Sequence, residues 1–347
     1  MAYALAGADC IDVAADAAIV RAAREGLGWA AEKATERGEV VHTPWLMVSI
    51  NDGEDPHFRK ASFEADRCLT DCHQPCIDIC PAEAIAFPRS DRGPSGVIDS
   101  RCYGCGRCLP VCPIGHIHTQ SYVLSPEAIA AQLFSQIDAV EIHTQIGRLH
   151  DFERLWGAIR PWVRTLRAVS VSCPDGNGSV RYLWQLHELI RSAEIPIIWQ
   201  TDGRPMSGDI GGGTTHAAIR YAQKVIATGP PGFVQLAGGT NLQTVPRLRS
   251  LGLLRSTSSS LNRHIAGIAY GSYARGKLMA VLNQLASDLD ADFGRFDKPS
   301  NFAPCSSSGE GDRLIPDRSI DDAVSLAKEL VSQLKPAPET TAVKPTY

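Results

Sequence analysis

The sequence predicts an α/β protein built on one parallel sheet, with a small cysteine-rich α+β insert after the second visible strand. Three observations carry this expectation. Short apolar runs alternate with helix-like segments along most of the chain. Eight of the eleven cysteines fall between residues 68 and 112, and the last two apolar runs end in glycine-rich loops. Alternation of strand and helix is the pattern of a parallel sheet.

Composition bounds the rest. The chain has 347 residues, 44% of them hydrophobic, enough to bury a sizeable core. The net charge of −4, with no basic block, offers no nucleic-acid surface. No apolar run approaches the roughly 20 residues needed for a membrane span. The opening "MAYALAGADCIDVAADAAIV" is alanine-rich but has no basic start and carries Asp9 and Asp12, so it does not read as a signal peptide. Clustered cysteines without an export signal point to metal binding rather than disulfides, and to the cytoplasm.

The apolar runs, in order, are 8–15, 44–51, 137–144, 168–173, 196–202, 233–238 and 265–271. Helix-like segments such as "FERLWGAIRPWVRTL" and "GTTHAAIRYAQKVIA" lie between them, the former expected to kink or split at Pro161. Seven is an awkward count for a closed barrel. The start, however, reads as the end of a helix, then glycine, then a strand. The expectation is a (βα)8-type barrel lacking its first strand, with the visible runs as strands two to eight. Residues 1–56 form the opening barrel segment (strands two and three), 57–123 the insert, and 124–295 the closing barrel segment (strands four to eight). Residues 296–347 are a linker, an amphipathic helix at about 319–334 and a flexible tail. That helix places Ile320, Val324, Ala327 and Val331 on one face, and Ser319 with Asp322 resembles a capping pair.

Within the insert, "CYGCGRCLPVCPIG" places Cys102, Cys105, Cys108 and Cys112 in the C-x2-C-x2-C-x3-C-P run of bacterial ferredoxins, which holds a [4Fe–4S] cluster. A zinc site would need two spaced pairs instead. The earlier stretch "CLTDCHQPCIDICP" spaces Cys68, Cys72, Cys76 and Cys80 by three residues each. A helix face is the bland explanation, but Pro75 breaks it, and Cys80-Pro81 repeats the Cys112-Pro113 ending. With two strand-like runs around a Pro/Gly turn between them, residues 66–120 read as an internal duplication, the layout of a two-cluster ferredoxin-like module. In such modules the fourth cysteine of each run serves the other cluster. Cluster one then takes Cys68, Cys72, Cys76 and Cys112, and cluster two takes Cys102, Cys105, Cys108 and Cys80. The wide first spacing leaves [3Fe–4S] or a labile cluster open for cluster one. Filled ligand sets leave no open iron for substrate and do not fit a radical-SAM site. His73, His116 and His118 are expected beside the clusters rather than on them, and Cys10 and Cys305 as non-ligands.

If the last two runs are strands seven and eight, their loops stand where barrels bind phosphate. Gly238, Gly239 and Thr240, with Gly271 and Ser272, offer backbone N–H groups there, and Arg275 adds charge. These residues either bind the phosphate of FMN or another ligand, or serve tight βα turns. The strands also carry Asp12, Ser49, Asn51, Glu141, His143, Ser172, Gln200, Asp202 and Gln235, which form either a polar pocket or a self-satisfied network. Cys173 is placed to line the mouth. The insert follows a strand, so the clusters are expected over the barrel's C-terminal face.

The stretches "AGADCIDVAAD", "CLTDCHQPCIDICP", "CYGCGRCLPVCPIG" and "QLAGGTN…AGIAYGSYARG" resemble the cyanobacterial light-dependent period (LdpA) family over nearly the whole chain. The resemblance implies two iron–sulfur clusters on the eight motif cysteines, a role in redox input to the circadian clock, and redox and clock proteins as partners. It implies no catalytic residue, and it implies members that begin further upstream with a strand. The expected function is a redox sensor rather than an enzyme. The alternative is a reductase passing electrons from the clusters to a flavin or small phosphorylated substrate in the barrel.

Overall fold

A computed structural model describes the chain apart from residues 40–41, 54–58, 81, 88–95, 122–124, 204–214, 256–263, 295–316 and 336–347, and apart from the side chains of 121, 286–294 and 317. Cys305, the linker before the last helix and the tail therefore lie outside the described residues, as does Pro81. The chain opens with α1 (Ala2–Leu5), β1 (Cys10–Ala14), α2 (Ala17–Glu36) and β2 (Trp45–Asn51). The insert follows as β3 (Arg59–Ser62), α3 (Pro75–Asp78), β4 (Ile85–Ala86), β5 (Gly96–Val97), α4 (Cys108–Val111) and β6 (His118–Ser121). The remainder alternates: α5 (Pro126–Leu133), β7 (Ala139–His143), α6 (Leu149–Val163), β8 (Ala168–Pro174), α7 (Ser179–Ile190), β9 (Ile197–Asp202), α8 (Thr215–Thr228), β10 (Phe233–Ala237), α9 (Thr244–Ser250), β11 (Ile265–Ile268), α10 (Ser272–Gly294) and α11 (Asp317–Val331).

One seven-stranded sheet runs β1-β2-β7-β8-β9-β10-β11, with every neighbour parallel. The insert leaves between β2 and β7, which pair directly, so it does not interrupt the sheet. Residues of both edge strands, from Cys10 and Asp12 to Ile265 and Gly267, line one open trough of about 2630 Å³. The architecture is thus mixed α/β with a curled, parallel half-barrel. Among the described residues no strand joins β1 to β11.

Strand parity decides the two faces. Leu46, Val48, Ile50, Val140, Ile142, Val169, Val171, Trp199, Val234 and Leu236 point outward and form the main core with α2 and α5 to α9. Each such side chain contributes about 1.5–3 kcal/mol when fully buried. Val20, Phe152, Ile159, Leu186 and Val225 answer from the helices. The inner face is apolar only at its lower end, where Met47, Ala139 and Ala168 meet Cys10 and Ile198. Cys173 belongs to the outward set and is fully buried there, so it does not line the mouth. The alternation of "AVSVSC" turns Ser170 and Ser172 inward and sends Cys173 to the helices.

Two helices differ from expectation. Pro161 neither splits nor interrupts α6, because it sits in the last turn, two residues before the helix ends. The last helix begins at Asp317, which places Ser319 inside the first turn rather than at its cap. Its buried stripe is Ile320, Ala323, Val324, Ala327 and Leu330. This stripe packs α11 against α1 and α10, the helices at the two ends of the sheet. The Tyr3 hydroxyl donates to the Ala274 carbonyl (2.8 Å) and Lys277 pairs with Glu329 (2.7 Å), tying the same three helices together.

Candidate functional site

The two cysteine runs repeat each other in backbone as well as in spelling. Gln74 and Gly106, two residues before Cys76 and Cys108, both take positive φ (54° and 75°). Glu83 and Gly115, three residues after Cys80 and Cys112, do so again (48° and 62°). The Ala84 N–H donates to Cys80 Sγ and the His116 N–H to Cys112 Sγ, each at 3.2 Å. The Glu83 N–H reaches the Cys80 carbonyl and the Gly115 N–H the Cys112 carbonyl, each at 3.1 Å. Every pair is 32 residues apart (106 − 74, 108 − 76, 112 − 80, 115 − 83). The extra residues of the first run therefore lie before Gln74, and from that point the halves coincide. Pro75 opens the four-residue helix α3, so no helix runs through Cys68–Cys80.

The thiols fall into two sets by proximity. Burial raises Cys76, and the neighbours adding to the rise are Cys68, Cys72 and Cys112. Burial likewise raises Cys68, followed by Cys72 and Cys112. Burial pushes Cys108 up to about 11, with Cys105, Cys102 and Cys80 beside it. A small cavity is lined by those same four, Cys80, Cys102, Cys105 and Cys108, with Ala84, Ile85 and Val97. At Cys112 burial works upward, but the N–H groups of Ile117, His116, Ile114 and Gly115 bring the thiol below its ordinary value. All eight cysteines are free thiols. Four-and-four thiol sets, aimed at by backbone N–H groups and packed in an apolar shell of Phe63, Ile85 and Ile117, fit the donor chemistry of iron–sulfur clusters. Among the described residues no three Cys, His, Asp or Glu side chains converge as the ligands of a single metal ion. The His116 ring lies against the Glu64 carbonyl (2.9 Å) and edge-on to Phe63, and His118 lies near the His116 carbonyl (3.4 Å).

The insert docks at the C-terminal end of β1. Lys60 of β3, 1% exposed, places Nζ 2.6 Å from Asp16 Oδ2 and 2.5 Å from the Asp99 carbonyl. Asp16 is also the N-cap of α2, its Oδ1 accepting from the N–H groups of Ala18 (2.9 Å) and Ile19 (3.3 Å). Arg21 donates to the Ser100 carbonyl (3.4 Å). Sequence reasoning missed this junction, since a lone lysine in "RKASF" carries no pattern. The insert thus sits at the strands' C-terminal ends as expected, but none of its described residues lines the trough.

Above its apolar floor the trough is polar. Asp12, Glu141, His143, Ser172, Gln200, Asp202 and Gln235 all line it. Ser49 is joined to them through its 2.6 Å hydrogen bond to Asp12 Oδ2, whereas Asn51 is not among the lining residues. Gln200 Nε2 donates to Glu141 Oε1, and His143 Nε2 lies 3.3 Å from the same oxygen. Gln200 Oε1 and Ser170 Oγ are buried without a partner among the described residues. Each such group costs about 1–3 kcal/mol. Burial, then the charge of Asp202, pushes Glu141 up to about 8, against hydrogen bonds from Gln200 and Ser172. Burial, then Glu141, pushes Asp12 up to about 8, against Ser49 and His143. Asp12 is exposed to the water of the trough, which tempers the rise, while the surrounding walls set its direction. All the polar residues named from sequence except Asn51 therefore meet on one face, as a pocket with unmet hydrogen-bonding capacity.

Gly238, Gly239, Thr240, Gly271, Ser272 and Arg275 line the same trough. Gly238 (φ 61°) and Gly239 (φ 84°) need the left-handed conformation, the Thr240 hydroxyl donates to the Ala269 carbonyl (2.6 Å), and Ser272 opens α10. Cys10 is on the inner face near its lower end, with burial first and then Asp12 pushing its thiol up to about 12.

Comparison with known proteins places both halves. Residues 68–123 match the LdpA Fe-S cluster-binding domain, and residues 133–333 match the light dependent period A C-terminal domain. The chain is 51% identical over 287 residues to light dependent period A of Synechococcus elongatus, covering 82% of this chain and 77% of that protein. It is 35% identical over 75 residues to the putative electron transport protein YsaA of Escherichia coli, covering 20% of this chain and 46% of that one. No solved structure matches it. No helix among the described residues is long and apolar enough to cross a membrane. With a C-terminal domain match over more than half its length and a relative half-identical across most of both chains, the chain belongs to the light dependent period A family, and its insert is an iron–sulfur-binding domain.

Proposed function

We propose that the chain is a cytoplasmic redox sensor that carries two [4Fe–4S] clusters in a ferredoxin-like module and relays redox state to clock proteins. Cys68, Cys72, Cys76 and Cys112 hold one cluster, and Cys102, Cys105, Cys108 and Cys80 the other. The observation that carries this reading is the 32-residue repeat of backbone conformation through both cysteine runs, with each run's last cysteine among the other run's thiols. A bound cluster supplies one-electron oxidation and reduction. The protein's own role is to present thiolate, to direct the Ala84 and His116 N–H groups at sulfur, and to exclude water with Phe63, Ile85 and Ile117. A change of charge at Cys102 is felt three residues away, where Lys60 holds the Asp99 carbonyl. The half-barrel is read as part of a (βα)8-type barrel.

Anaerobic purification with iron and sulfide counts, EPR and an ultraviolet–visible spectrum tests this. Cys105→Ser and Cys80→Ser should each remove the same EPR signal and about four irons, and Cys112→Ser the other signal. Unchanged iron in these variants sinks the ligand assignment. A second reading, a reductase using FMN or a small phosphorylated substrate held by Gly238–Thr240 and Gly271–Arg275, is favoured by those loops sharing the trough with the acids. Copurifying FMN would decide for it. The absence of described module residues from the trough lining favours the sensor.

A further inference from the structure

The trough floor has chemistry that holding clusters does not use. Closed barrels fill this space with bulky branched side chains. Here Glu141, 2% exposed, and Gln200, 6% exposed, stand on the inner face with open volume above them. One hydrogen bond fixes their relation, because Gln200 commits Nε2 to Glu141 Oε1. Gln200 Oε1 is left buried and, among the described residues, without a partner, on a side chain that lines the trough. Asp12 receives the Ser49 hydroxyl and is itself set as an acceptor. No lysine or arginine is among the described partners of Asp12 or Glu141, whose charged neighbours are each other, Asp202 and His143. Unmet acceptors beneath open volume call for a ligand that donates, and acids that ionise call for one that is positive. A phosphate or carboxylate would meet repulsion from either acid once it ionises, and the described side chains form no metal-ion site.

We propose that this inner face binds an organic cation with N–H donors, an alkylammonium or guanidinium, held by Glu141 and the carbonyl of Gln200 and reaching Asp12 at its other end. Asp12 and Glu141 are on β1 and β7, with β2 between them. Asp12 is level with Met47 and Ala139, and Glu141 with Ser49, so two strand spacings of about 4.8 Å and a two-residue offset of about 6.6 Å separate them, roughly 12 Å on a flat sheet and less across a concave one. A dication such as agmatine spans that gap, whereas n-butylammonium reaches one acid only. Both acids are raised to about 8, so at neutrality the cation displaces protons as it binds. Affinity therefore rises with pH to about 8 and levels off above it. Asp202 and His143 stand beside them, and Cys10 stays a thiol throughout this range.

The test is isothermal titration calorimetry on full-length, cluster-loaded protein at pH 7.0 and pH 8.5, with agmatine, n-butylammonium and tetramethylammonium chlorides as probes. Agmatine should bind saturably, more tightly at the higher pH and more tightly than n-butylammonium, and tetramethylammonium, which has no donor, should not bind. Glu141→Gln should lower agmatine affinity about tenfold or more, and Gln200→Leu about fivefold. Asp12→Asn should weaken agmatine more than n-butylammonium. Glu153→Gln, exposed on α6 and away from the trough, should leave the titration unchanged. Absence of saturable binding by either amine, unaltered affinity in Glu141→Gln and Gln200→Leu, or binding of magnesium ion or inorganic phosphate in the amine's place overturns the proposal. If one variant fails to fold, the other two still decide the matter.

Discussion

Replacing Lys60 with methionine should destabilise the protein by about 3–5 kcal/mol, the loss that follows when one partner of a buried ion pair is removed and the other is left charged. The structure supports the upper end of that range. Lys60 and Asp16 are 1% and 2% exposed, their charges are 2.6 Å apart, and Lys60 also satisfies the Asp99 carbonyl. Methionine matches the lysine stem in volume, so little of the loss would come from packing. Adding Asp16→Asn should restore most of the stability. Asparagine keeps an oxygen for the Ala18 and Ile19 N–H groups at the start of α2 while removing the stranded charge. The assay is urea unfolding of anaerobic, cluster-loaded protein by far-ultraviolet circular dichroism, with cluster absorbance followed in parallel. In Lys60→Met the absorbance should fall at lower urea than the dichroism, because the pair joins β3 of the insert to the end of β1. A loss under about 1 kcal/mol, or an equal loss in the single and double variants, would refute the claim that a stranded Asp16 charge is what costs stability.

Two further outcomes follow from single features. Glu141 and Asp12 have folded-state pKa values raised to about 8 from 4.5 and 3.8, so the folded protein holds protons that the unfolded chain releases in between. Stability is then greatest below about pH 4–5 on their account and declines as pH rises toward 8. Glu141→Gln should flatten that decline by roughly 2–4 kcal/mol, and an equally steep fall in chemical-denaturation stability would count against it. In the repeat, Gly115→Ala should cost about 1–2 kcal/mol, since it forces a side chain into positive φ, while Glu83→Gly at the matching position should be neutral or stabilising. Equal losses in thermal unfolding would mean the two halves are not equivalent in strain.

The sheet was legible in the sequence because parallel strands buried on their outer face announce themselves as runs, and helices between them fix the order. The polar face was legible for the same reason: residues two apart share a face, and Asp12, Glu141 and Gln200 each stand one step off an outward-facing apolar neighbour. The same rule would have sent Cys173 outward with Val169 and Val171. The cysteine repeat could be read from spelling, but its register could not. Gln74 and Glu83 take the left-handed conformation without being glycine or asparagine, so nothing in their identity marks them as partners of Gly106 and Gly115. Pairings across distant chain, such as Lys60 with Asp16 or α11 with α1 and α10, have no local signature at all. The amphipathic stripe of α11 showed that it packs, and left open against what.

The route between the two sites has a thermodynamic consequence. Lys60 and Arg21 hold the carbonyls of Asp99 and Ser100, just ahead of Cys102, and both side chains lead to the first turns of α2. That helix follows β1, which carries Asp12 into the trough. If oxidation at the thiols shifts this loop, it shifts the strand that forms one end of the amine site. Coupling of this kind is reciprocal: a ligand whose affinity differs tenfold between the two oxidation states must move the one-electron potential by about 59 mV. Spectroelectrochemical titration with and without saturating agmatine measures that quantity directly. Tighter binding to the reduced form raises the potential, since the ligand then favours reduction, and tighter binding to the oxidised form lowers it. Lys60→Met should diminish the shift while leaving the eight motif cysteines and all three trough acceptors in place. A potential that agmatine leaves unmoved, in protein shown by calorimetry to bind it, would make the clusters and the trough independent, and any redox signal would then leave from the insert alone.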